Sequence, residues 1–345
     1  MVDAEPPPEA VIVWTATAFA VSRALHVAAQ LGIADLVADR PRTVEHLASE
    51  TKTDPPSLRR ILRLLAMSGF FSEVSEGVFG QTRLSETLRS SHASAMRARV
   101  LGTGSQVWWD AFGRLPETVA TGRTGVELAF GVSLWDYFDR HPEEASLFNS
   151  FMAARGGGES EAVAAAYDWS SAARVMDVGG GTGSLMSAIL SANPHLSGII
   201  LERREVVEEA RAAVAGRGLD GRCEVLEGNL LQGVRPTDAD VVVLSHVIHN
   251  WNEDSALSIL RNARTAMRPG GRLLVVESLL PAGDAFHPLK LMDVFMLAGP
   301  GGRERREEEY RDLLRRAGLR LNRVLRTSHT LFDVALIEAL SDGPS

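Results

Sequence analysis

A strand that runs into a glycine-rich turn constrains the fold of this chain more than any other feature. Residues 175–183 read Val-Met-Asp-Val-Gly-Gly-Gly-Thr-Gly. The apolar run predicts a buried strand, and the segment that follows, 184–191, predicts a helix. Glycines at such a junction allow backbone N–H groups to approach a ligand closely at the positive end of the helix. The motif therefore predicts an α/β fold with a ligand site at the carboxyl end of this strand.

The spacing of the glycines distinguishes between two cofactors. The dinucleotide fingerprint requires the pattern Gly-x-Gly-x-x-Gly. In this chain the pattern is instead formed by Gly179, Gly181 and Gly183, and position 184 is Ser. The spacing favours S-adenosylmethionine (SAM) over NAD, and it makes these three glycines the first candidate cofactor-binding residues.

Polar residues follow the next two predicted strands. Glu202 ends the second strand, 25 residues after Asp177, where a carboxylate can accept hydrogen bonds from both ribose hydroxyls. Asn229 and Leu230 follow the third strand, at a position suited to the edge of an adenine ring. An amide can accept a hydrogen bond from the exocyclic amine and donate one to a ring nitrogen. The order of these residues along the chain predicts an adenosine site.

The second half of the chain alternates between short apolar runs and helical segments. The runs lie at 175–178, 198–201, 223–226, 240–244, 273–277, 319–325 and 331–339. This alternation predicts a parallel sheet with helices on both faces, a Rossmann-like domain over residues 159–345.

The N-terminal region has a different pattern. Helical segments at 33–37, 43–50 and 56–68 precede short strands at 70–74 and 78–81, the arrangement of a winged helix. Thr43 and Asp54 are placed to cap the helices that follow them. We therefore predict a mostly helical winged-helix domain at residues 1–100. A helical linker region is predicted at 101–158, ending at a joint of three glycines, 156–158.

The segment 11–31 is apolar and has the length of a membrane span. Arg23 and His26 interrupt its second half, which disfavours a membrane-spanning helix. The segment instead predicts a helix that a protein partner covers, and therefore a homodimer.

Composition limits the partners of this chain. Its 36 basic and 44 acidic residues give a formal net charge of −8, which disfavours contact with nucleic acid and favours a small partner. The single cysteine, Cys223, excludes an internal disulfide and fits a small core residue. The acidic, Pro-rich N-terminus lacks the positive segment of a signal peptide, so a cytoplasmic location is expected.

Two histidines lie where the fourth predicted strand ends. Residues 244–251 read Leu-Ser-His-Val-Ile-His-Asn-Trp, and Asn252 is placed to cap the helix that follows. Ligands of a doubly wound sheet bind at this edge. Either His246 or His249 is therefore a candidate catalytic base, and the spacing alone does not choose between them.

Four segments form a combination typical of one enzyme family. They are the glycine turn, His249-Asn250-Trp251, Glu277 in Val-Val-Glu-Ser-Leu-Leu-Pro, and Gly301-Gly302-Arg303-Glu304-Arg305. Together they resemble the winged-helix small-molecule O-methyltransferases, which include plant caffeic acid-type enzymes and bacterial enzymes that modify aromatic polyketides and related natural products. The resemblance covers nearly the whole chain.

The resemblance implies SAM-dependent methylation of an aromatic hydroxyl by a homodimer. It implies that His249 is the base and that Glu277 and Glu304 flank and orient it. If Glu277 accepts a hydrogen bond from the other ring nitrogen, it would fix the tautomer and stabilise the imidazolium as it forms. It also implies that Ser245 lies at the cofactor site, at a position where plant members carry Lys.

The chemistry explains why a base is needed. A phenol with a pKa near ~10 is a poor nucleophile while neutral, whereas an imidazole with a reference pKa of about 6.5 can accept its proton at neutral pH. The leaving group of SAM already carries positive charge, so no metal ion is expected. The matched motifs offer no cluster of carboxylates of the kind a magnesium site requires.

The substrate pocket is expected between the helical stretch and the sheet domain, lined by flat or polarizable side chains that suit an aromatic ring. The candidate walls are Trp135, Phe148, Met152, Met292, Phe295 and Met296.

Two other functions remain open at this point. The first is N- or C-methylation by the same fold, although an amine gains less from a base than a phenol does. The second is a SAM-responsive transcription factor, because Arg59, Arg60 and Arg63 share one face of the third winged-helix helix. The net charge of −8 argues against contact with DNA.

Overall fold

The computed structural model describes residues 6–155, 158–235, 237–327 and 333–341. The chain divides into two compact units, each described by itself. The first unit comprises Met1–Trp109 and His141–Arg155, and the second comprises Asp110–Arg140 and Gly156–Ser345. Residues of the region expected as a linker, 101–158, therefore occur in both units. Gly156 and Gly157, expected at the joint, lie outside the described residues.

Most of the described chain is helical. In chain order the helices are α1 Pro8–Gln30, α2 Ile33–Leu36, α3 Val44–Thr51, α4 Pro55–Met67, α5 Arg83–Glu86, α6 Met96–Thr103, α7 Gln106–Gly113, α8 Leu115–Thr121, α9 Gly125–Phe130, α10 Leu134–Arg140, α11 Pro142–Arg155, α12 Glu159–Ala166, α13 Ser184–Ala192, α14 Arg204–Gly216, α15 Glu253–Ala266, α16 Pro288–Ala298 and α17 Glu307–Arg316.

The strands form two sheets. In chain order they are β1 Arg42–Thr43, β2 Phe71–Ser75, β3 Val78–Gln81, β4 Arg174–Val178, β5 Ser197–Glu202, β6 Cys223–Glu227, β7 Ala239–Ser245, β8 Met267–Ser278, β9 Leu319–Thr327 and β10 Val334–Ser341. The first residues of the run predicted at 331–339 lie outside the described residues.

The first unit contains the predicted winged helix. Strands β1, β3 and β2 form an antiparallel sheet in that order, next to helices α3 and α4. Thr43 and Asp54 accept hydrogen bonds from backbone N–H groups of the turns that they cap, at 3.2 and 2.9 Å. Leu58, Leu62 and Leu65 form the apolar stripe of α4 and are buried in the core. The winged-helix prediction is confirmed.

Helix α1 presents a large apolar surface to solvent. Its second half packs into the core of the first unit through Ala24 and Ala28. Five large apolar side chains in its first half are 45–68% exposed, namely Val11, Ile12, Val13, Trp14 and Phe19. Among the described residues, α1 is the helix long and apolar enough to cross a membrane by length and composition, a test that helices of soluble proteins also pass.

The second unit is built on a seven-stranded sheet of order β6-β5-β4-β7-β8-β10-β9. Strands β4 to β8 pair in parallel, as predicted. Strand β10 pairs antiparallel with both β8 and β9, so the expectation of a fully parallel sheet was wrong at this edge. Six residues separate β9 from β10, and a parallel crossover needs a dozen or more.

The topology of this sheet determines where a site can form. Helices α15 and α17 cover one face, and helices α12, α13 and α14 cover the other, as predicted. Strands β4 and β7 are parallel neighbours, so their carboxyl ends lie at the same edge of the sheet. The glycine turn follows β4 and both histidines follow β7, which brings the two motifs together.

The cysteine lies inside this unit. Cys223 begins β6 and is buried in the core formed with α12, α13 and α14. Burial raises the pKa of its thiol to about 11. The residue is a packed core side chain.

Candidate active site

Positive φ angles define the glycine turn between β4 and α13. Gly179, Gly181 and Gly183 have φ angles of +78°, +54° and +78°, a region that residues other than glycine rarely adopt. A Cβ at Gly179 would lie 2.9 Å from a methyl group of Val247, whereas a Cβ at Gly181 would meet no described atom within 4 Å. Gly181 therefore faces open space, from which a ligand can approach the backbone.

Glu202 lies beside this turn at the end of β5. Its Oε2 accepts a hydrogen bond from the N–H of Gly181 at 2.9 Å, and its Oε1 accepts one from the N–H of Arg203 at 2.8 Å. Each carboxylate oxygen has a second lone pair, which a ribose hydroxyl can use. The structure therefore brings Glu202 and the glycine turn together, as the order of the motifs predicts.

The residues expected at the adenine lie at the same edge of the sheet. Asn229 is exposed, and its Oδ1 accepts a hydrogen bond from the N–H of Leu231 at 2.9 Å. A methyl group of Leu230 would be 3.6 Å from a Cβ at Gly179. Ser245 ends β7 and is half-buried. Contact between these residues and an adenine stays a prediction.

Asp177 is a buried acid inside β4, to which the motif gave no role of its own. Its side chain is 1% exposed, and neither of its carboxylate oxygens has a hydrogen-bond partner among the described residues. Burial, together with the charge of Glu202, raises the pKa of Asp177 to about 7. The carboxyl group lies against Gly180, where a Cβ would come within 2.8 Å of it. The acid therefore packs directly against the glycine turn.

His249 lies in a 3₁₀ turn, Ile248–Asn250, that is separated from the end of β7 by two residues, and it is 2% exposed. Its Nδ1 is at hydrogen-bond distance, 2.9 Å, from Oε1 of Glu304. Its backbone N–H donates to Oε1 of Glu277 at 3.1 Å, whereas Nδ1 is 3.8 Å from Oε2 of that residue, too long for a hydrogen bond. The structure therefore shows no hydrogen bond from the ring to Glu277, the condition under which Glu277 would fix the tautomer. Glu277 is bonded to the backbone of the turn, and Glu304 is the acid at hydrogen-bond distance from the ring.

His246 is paired with an acid that the sequence analysis missed. Its Nε2 is 2.5 Å from Oε1 of Glu159, the first residue of α12, and its Nδ1 is 3.8 Å from Oε2 of Glu277. Glu159 and His246 are 87 residues apart, and no spacing rule links their segments. The rings of His246 and His249 are 5.8 Å apart. We call His246, His249, Glu159, Glu277 and Glu304 the histidine–carboxylate cluster.

The segment 302–305 is tied to the turn that carries His249. The N–H of Arg303 donates to the carbonyl of His249 at 2.9 Å. Gly302 packs so closely against the same turn that any Cβ there would collide with backbone atoms. Arg305 is fully buried and donates to two carbonyls of the turn region, each at 3.1 Å. These contacts position Glu304 next to the imidazole of His249.

Helix α16 is connected to the same segment. Oδ1 of Asp293 accepts a hydrogen bond from the N–H of Glu304 at 2.7 Å. Met292, Phe295 and Met296 occupy positions i, i+3 and i+4 of this helix and share one face of it. The structure therefore groups three of the expected wall residues on the helix that contacts the segment. Their contact with a substrate stays a prediction.

The other expected wall residues lie elsewhere. Trp135 lies on α10, and the guanidinium of Arg203 lies over its ring, 5.7 Å from the ring centroid. The same guanidinium forms an ion pair with Asp139 at 3.1 Å. Trp135 is thus adjacent to the strand end that carries the expected ribose ligand. Phe148 and Met152 lie on α11, in the first unit, and both are half-buried.

Family models match both parts of the chain. A model described as the O-methyltransferase domain matches residues 112–320, and one described as the O-methyltransferase dimerisation domain matches residues 14–91. The chain belongs to the O-methyltransferase family. It is a SAM-dependent O-methyltransferase, as the resemblance implied, and the exposed helix α1 begins the region matched to dimerisation.

Similar proteins come from antibiotic biosynthesis. This O-methyltransferase is 41% identical over 305 residues to the mitomycin biosynthesis 6-O-methyltransferase of Streptomyces lavendulae, covering 88% of this chain and 87% of the relative. The structure of the mitomycin 7-O-methyltransferase is similar with a TM-score of 0.91 at 38% identity, covering 96% of this chain and 97% of the other. An O-methyltransferase from neocarzinostatin biosynthesis, in complex with S-adenosyl-L-homocysteine and 1,4-dihydroxy-2-naphthoic acid, has a TM-score of 0.84 at 32% identity, covering 93% and 96%.

Proposed function

We propose that this O-methyltransferase transfers the methyl group of SAM to a phenolic hydroxyl of a small aromatic natural product or polyketide intermediate, with His249 as the general base. The observation that carries the proposal is the buried imidazole of His249, with Nδ1 2.9 Å from Glu304. The relatives support the substrate class, since one serves mitomycin biosynthesis and another is bound to a dihydroxynaphthoic acid.

The arrangement around His249 suits proton transfer. When Nδ1–H donates to Glu304, the ring is the tautomer whose Nε2 carries the lone pair, and we infer that Nε2 accepts the proton of the phenol. The imidazolium that forms lies beside two carboxylates, Glu304 and Glu277, which stabilise its charge. General-base catalysis of this kind is worth roughly 10²–10⁴-fold in rate.

The remaining residues bind and align. SAM, when bound, supplies a methyl group on a positively charged sulfur, so the enzyme mainly has to orient and deprotonate the acceptor. Gly179, Gly181 and Gly183 offer a close approach to the backbone, and Glu202 offers acceptors for ribose hydroxyls. The face of α16 with Met292 would pack against an aromatic ring.

We also propose that the reaction uses no metal ion. The His249 imidazole supplies the acceptor for the proton, and Glu304 and Glu277 supply the compensating charge. The positive sulfur makes the leaving group good without a Lewis acid, so a cation has no step to perform.

Incubation with labelled SAM and a panel of hydroxylated aromatic acids and polyketides tests this proposal. The panel includes matched pairs in which an amine or an activated carbon replaces the hydroxyl. We expect the label on a phenolic oxygen, with its position assigned by mass spectrometry and NMR. Label only on nitrogen or carbon would replace the proposal with the N- or C-methylation alternative.

A DNA-binding role has less support from the structure of the winged helix. Arg59 is 2.9 Å from Glu76, and Arg63 is 3.7 Å from Glu73, so acids of the hairpin compensate two of the three arginines on this face. This pairing reduces the positive charge that a phosphate backbone would meet.

We propose that the enzyme is a cytoplasmic homodimer. The exposed apolar side chains of α1 and the matched dimerisation domain support the dimer. Light scattering should give twice the mass of 37.3 kDa. A truncation that starts near Val100 and stays soluble, monomeric and fully active would contradict the dimer.

A further inference from the structure

Two atoms of the histidine–carboxylate cluster face each other without a hydrogen bond. They are Nδ1 of His246 and Oε2 of Glu277, which lie 3.8 Å apart and have no partner among the described residues. Glu277 is fully buried. A buried carboxylate oxygen without a partner is costly, so the gap between these atoms is suited to a group that binds both.

His249 completes a three-sided arrangement around this gap. One ring nitrogen from each histidine and one carboxylate oxygen of Glu277 all lie within 4.8 Å of one another. Two imidazoles and one carboxylate are the protein ligands of several zinc sites, with bonds of about 2.0–2.2 Å. Side-chain shifts of less than about 1 Å would bring these atoms to the bond lengths of zinc.

A carboxylate already holds the other side of the His246 ring, since Oε1 of Glu159 is 2.5 Å from its Nε2. At His249, Nδ1 is 3.8 Å from Oε2 of Glu277 and 2.9 Å from Oε1 of Glu304. Metal-binding histidines almost always donate their second N–H to a carboxylate or carbonyl, which fixes the tautomer and strengthens the ligand. With Nε2–H donated to Glu159, Nδ1 of His246 carries a lone pair that can bind a cation.

The charge of the cluster also favours a cation. Three carboxyl groups, those of Glu159, Glu277 and Glu304, share a site with both imidazoles, and none of these side chains is more than 12% exposed. Buried charges need compensation from an opposite charge. A divalent ion among the three ligand atoms would provide it.

We propose that His246, His249 and Glu277 bind a divalent ion of the zinc class, and that this ion inhibits methyl transfer. Nitrogen donors select zinc, cobalt or nickel over magnesium, which prefers an octahedral shell of oxygen atoms. The binding rests on the cluster alone. The inhibition rests on the proposed function, because an ion held by the imidazole of His249 displaces the proton acceptor from its role.

A titration of untagged, full-length protein with Co²⁺ tests the site, because the visible absorption of this ion reports its coordination. We expect one equivalent to give the intense bands of a four- or five-coordinate ion, which Zn²⁺ removes and Mg²⁺ does not. Glu159→Gln removes the carboxylate beside Nε2 of His246 and should weaken Co²⁺ binding by about 10–100-fold. His246→Gln should weaken it further. His195→Gln, at an exposed histidine outside the cluster, is the matched control and should bind as the wild type does.

The outcomes separate this proposal from the proposed function. Undiminished Co²⁺ binding by His246→Gln, with a native circular dichroism spectrum, would overturn the site, as would a weak spectrum typical of the hydrated ion. Zn²⁺ inhibition that is equally strong in the wild type and in His246→Gln would overturn the link to catalysis. A protein that binds Co²⁺ as expected but methylates no phenol supports the site and contradicts the proposed function.

Discussion

The two halves of the site at the carboxyl edge of the sheet are built in opposite ways. At the glycine turn, the groups available to a ligand are the backbone of Gly181 and the half-buried carboxylate of Glu202. In the histidine–carboxylate cluster they are side chains, and His249, Glu277 and Glu304 are only 0–3% exposed. The first half depends on backbone angles that glycine permits, whereas the second depends on the pairing of buried charges. Substitutions at the turn should therefore change the binding of SAM, and those in the cluster should change the rate.

The sharpest test of this contrast is removal of the imidazole. His249→Ala should lower kcat by about two to four orders of magnitude and leave the affinity for SAM nearly intact, because the loss belongs to the transition state. Activity should partly recover at high pH, where the phenol ionises in solution. Steady-state kinetics and calorimetry with SAM measure the two effects, and His195→Ala serves as a control at an exposed position. A variant with wild-type kcat at pH 7 would assign the base to another residue, with His246 the nearest candidate.

The two acids beside His249 should differ in effect. Hydrogen bonds to charged groups are worth roughly 1.5–3 kcal/mol, so Glu304→Gln should lower kcat by about 10–100-fold. Glu277→Gln should lower it less, because Glu277 bonds the backbone of the turn and not the ring. In a His249→Ala background, Glu304→Gln should have little further effect, since there is no imidazole left to orient. A larger loss in Glu277→Gln would reverse the assignment of the two roles.

At the glycine turn, we expect losses of cofactor affinity instead. Glu202→Ala removes a charged acceptor beside Gly181, and the affinity for SAM should fall by about tenfold or more. Asn229→Ala should have a smaller effect, because its Oδ1 already bonds within its own loop. Calorimetry with SAM and with its demethylated product measures both. Equal and negligible changes would mean that the adenosine does not lie between these residues.

Alanine substitutions at two glycines can distinguish the effect of backbone strain from the effect of lost contact with the ligand. Gly181 and Gly218 have φ angles of +54° and +68°, and a Cβ at either one would meet no described atom within 4 Å. Alanine in this region costs roughly 1–2 kcal/mol, so both variants should lose similar stability in thermal unfolding. Only Gly181→Ala should also weaken SAM binding, by about tenfold. Equal SAM affinities in the two variants would place the cofactor away from the turn.

The smallest effect concerns the pH dependence of stability. Asp177 keeps its proton in the folded protein up to about pH 7, whereas the unfolded chain loses it near the ordinary pKa of 3.8. The stability that this difference contributes is full below the lower value and is lost as the pH rises through about 7. Asp177→Asn should therefore gain stability relative to the wild type between about pH 5 and pH 8, measured by urea unfolding. A constant difference between the two proteins over this range would contradict the raised pKa.

Local features of the site could be predicted from the sequence. The glycine turn, the caps at Thr43 and Asp54 and the position of Glu202 depend on neighbours in the chain or on the order of strands, and the structure places them as expected. The antiparallel direction of β10 was not predicted, although the connection of six residues between β9 and β10 is too short for a parallel crossover.

Contacts between distant segments could not be predicted in the same way. The pairing of His246 with Glu159 depends on where the start of α12 lies relative to the end of β7, which no periodicity encodes. The difference between Glu277 and Glu304 in their contact with the ring is about one ångström in Nδ1–oxygen distance, 3.8 Å to Glu277 and 2.9 Å to Glu304. Such differences in distance arise from packing. The family resemblance identified Glu277 and Glu304, but it did not give their distances from the imidazole.

The burial of Cys223 makes this enzyme convenient for site-specific labelling. A thiol that is buried and protonated at neutral pH reacts slowly with maleimides or methanethiosulfonates. A second cysteine introduced at exposed Glu9, at the start of α1 and before its apolar residues, would then be the preferred point of attachment, with no native residue removed from the core. Spin labels at that position would allow the separation of the α1 helices in the proposed dimer to be measured by pulsed electron paramagnetic resonance in frozen solution.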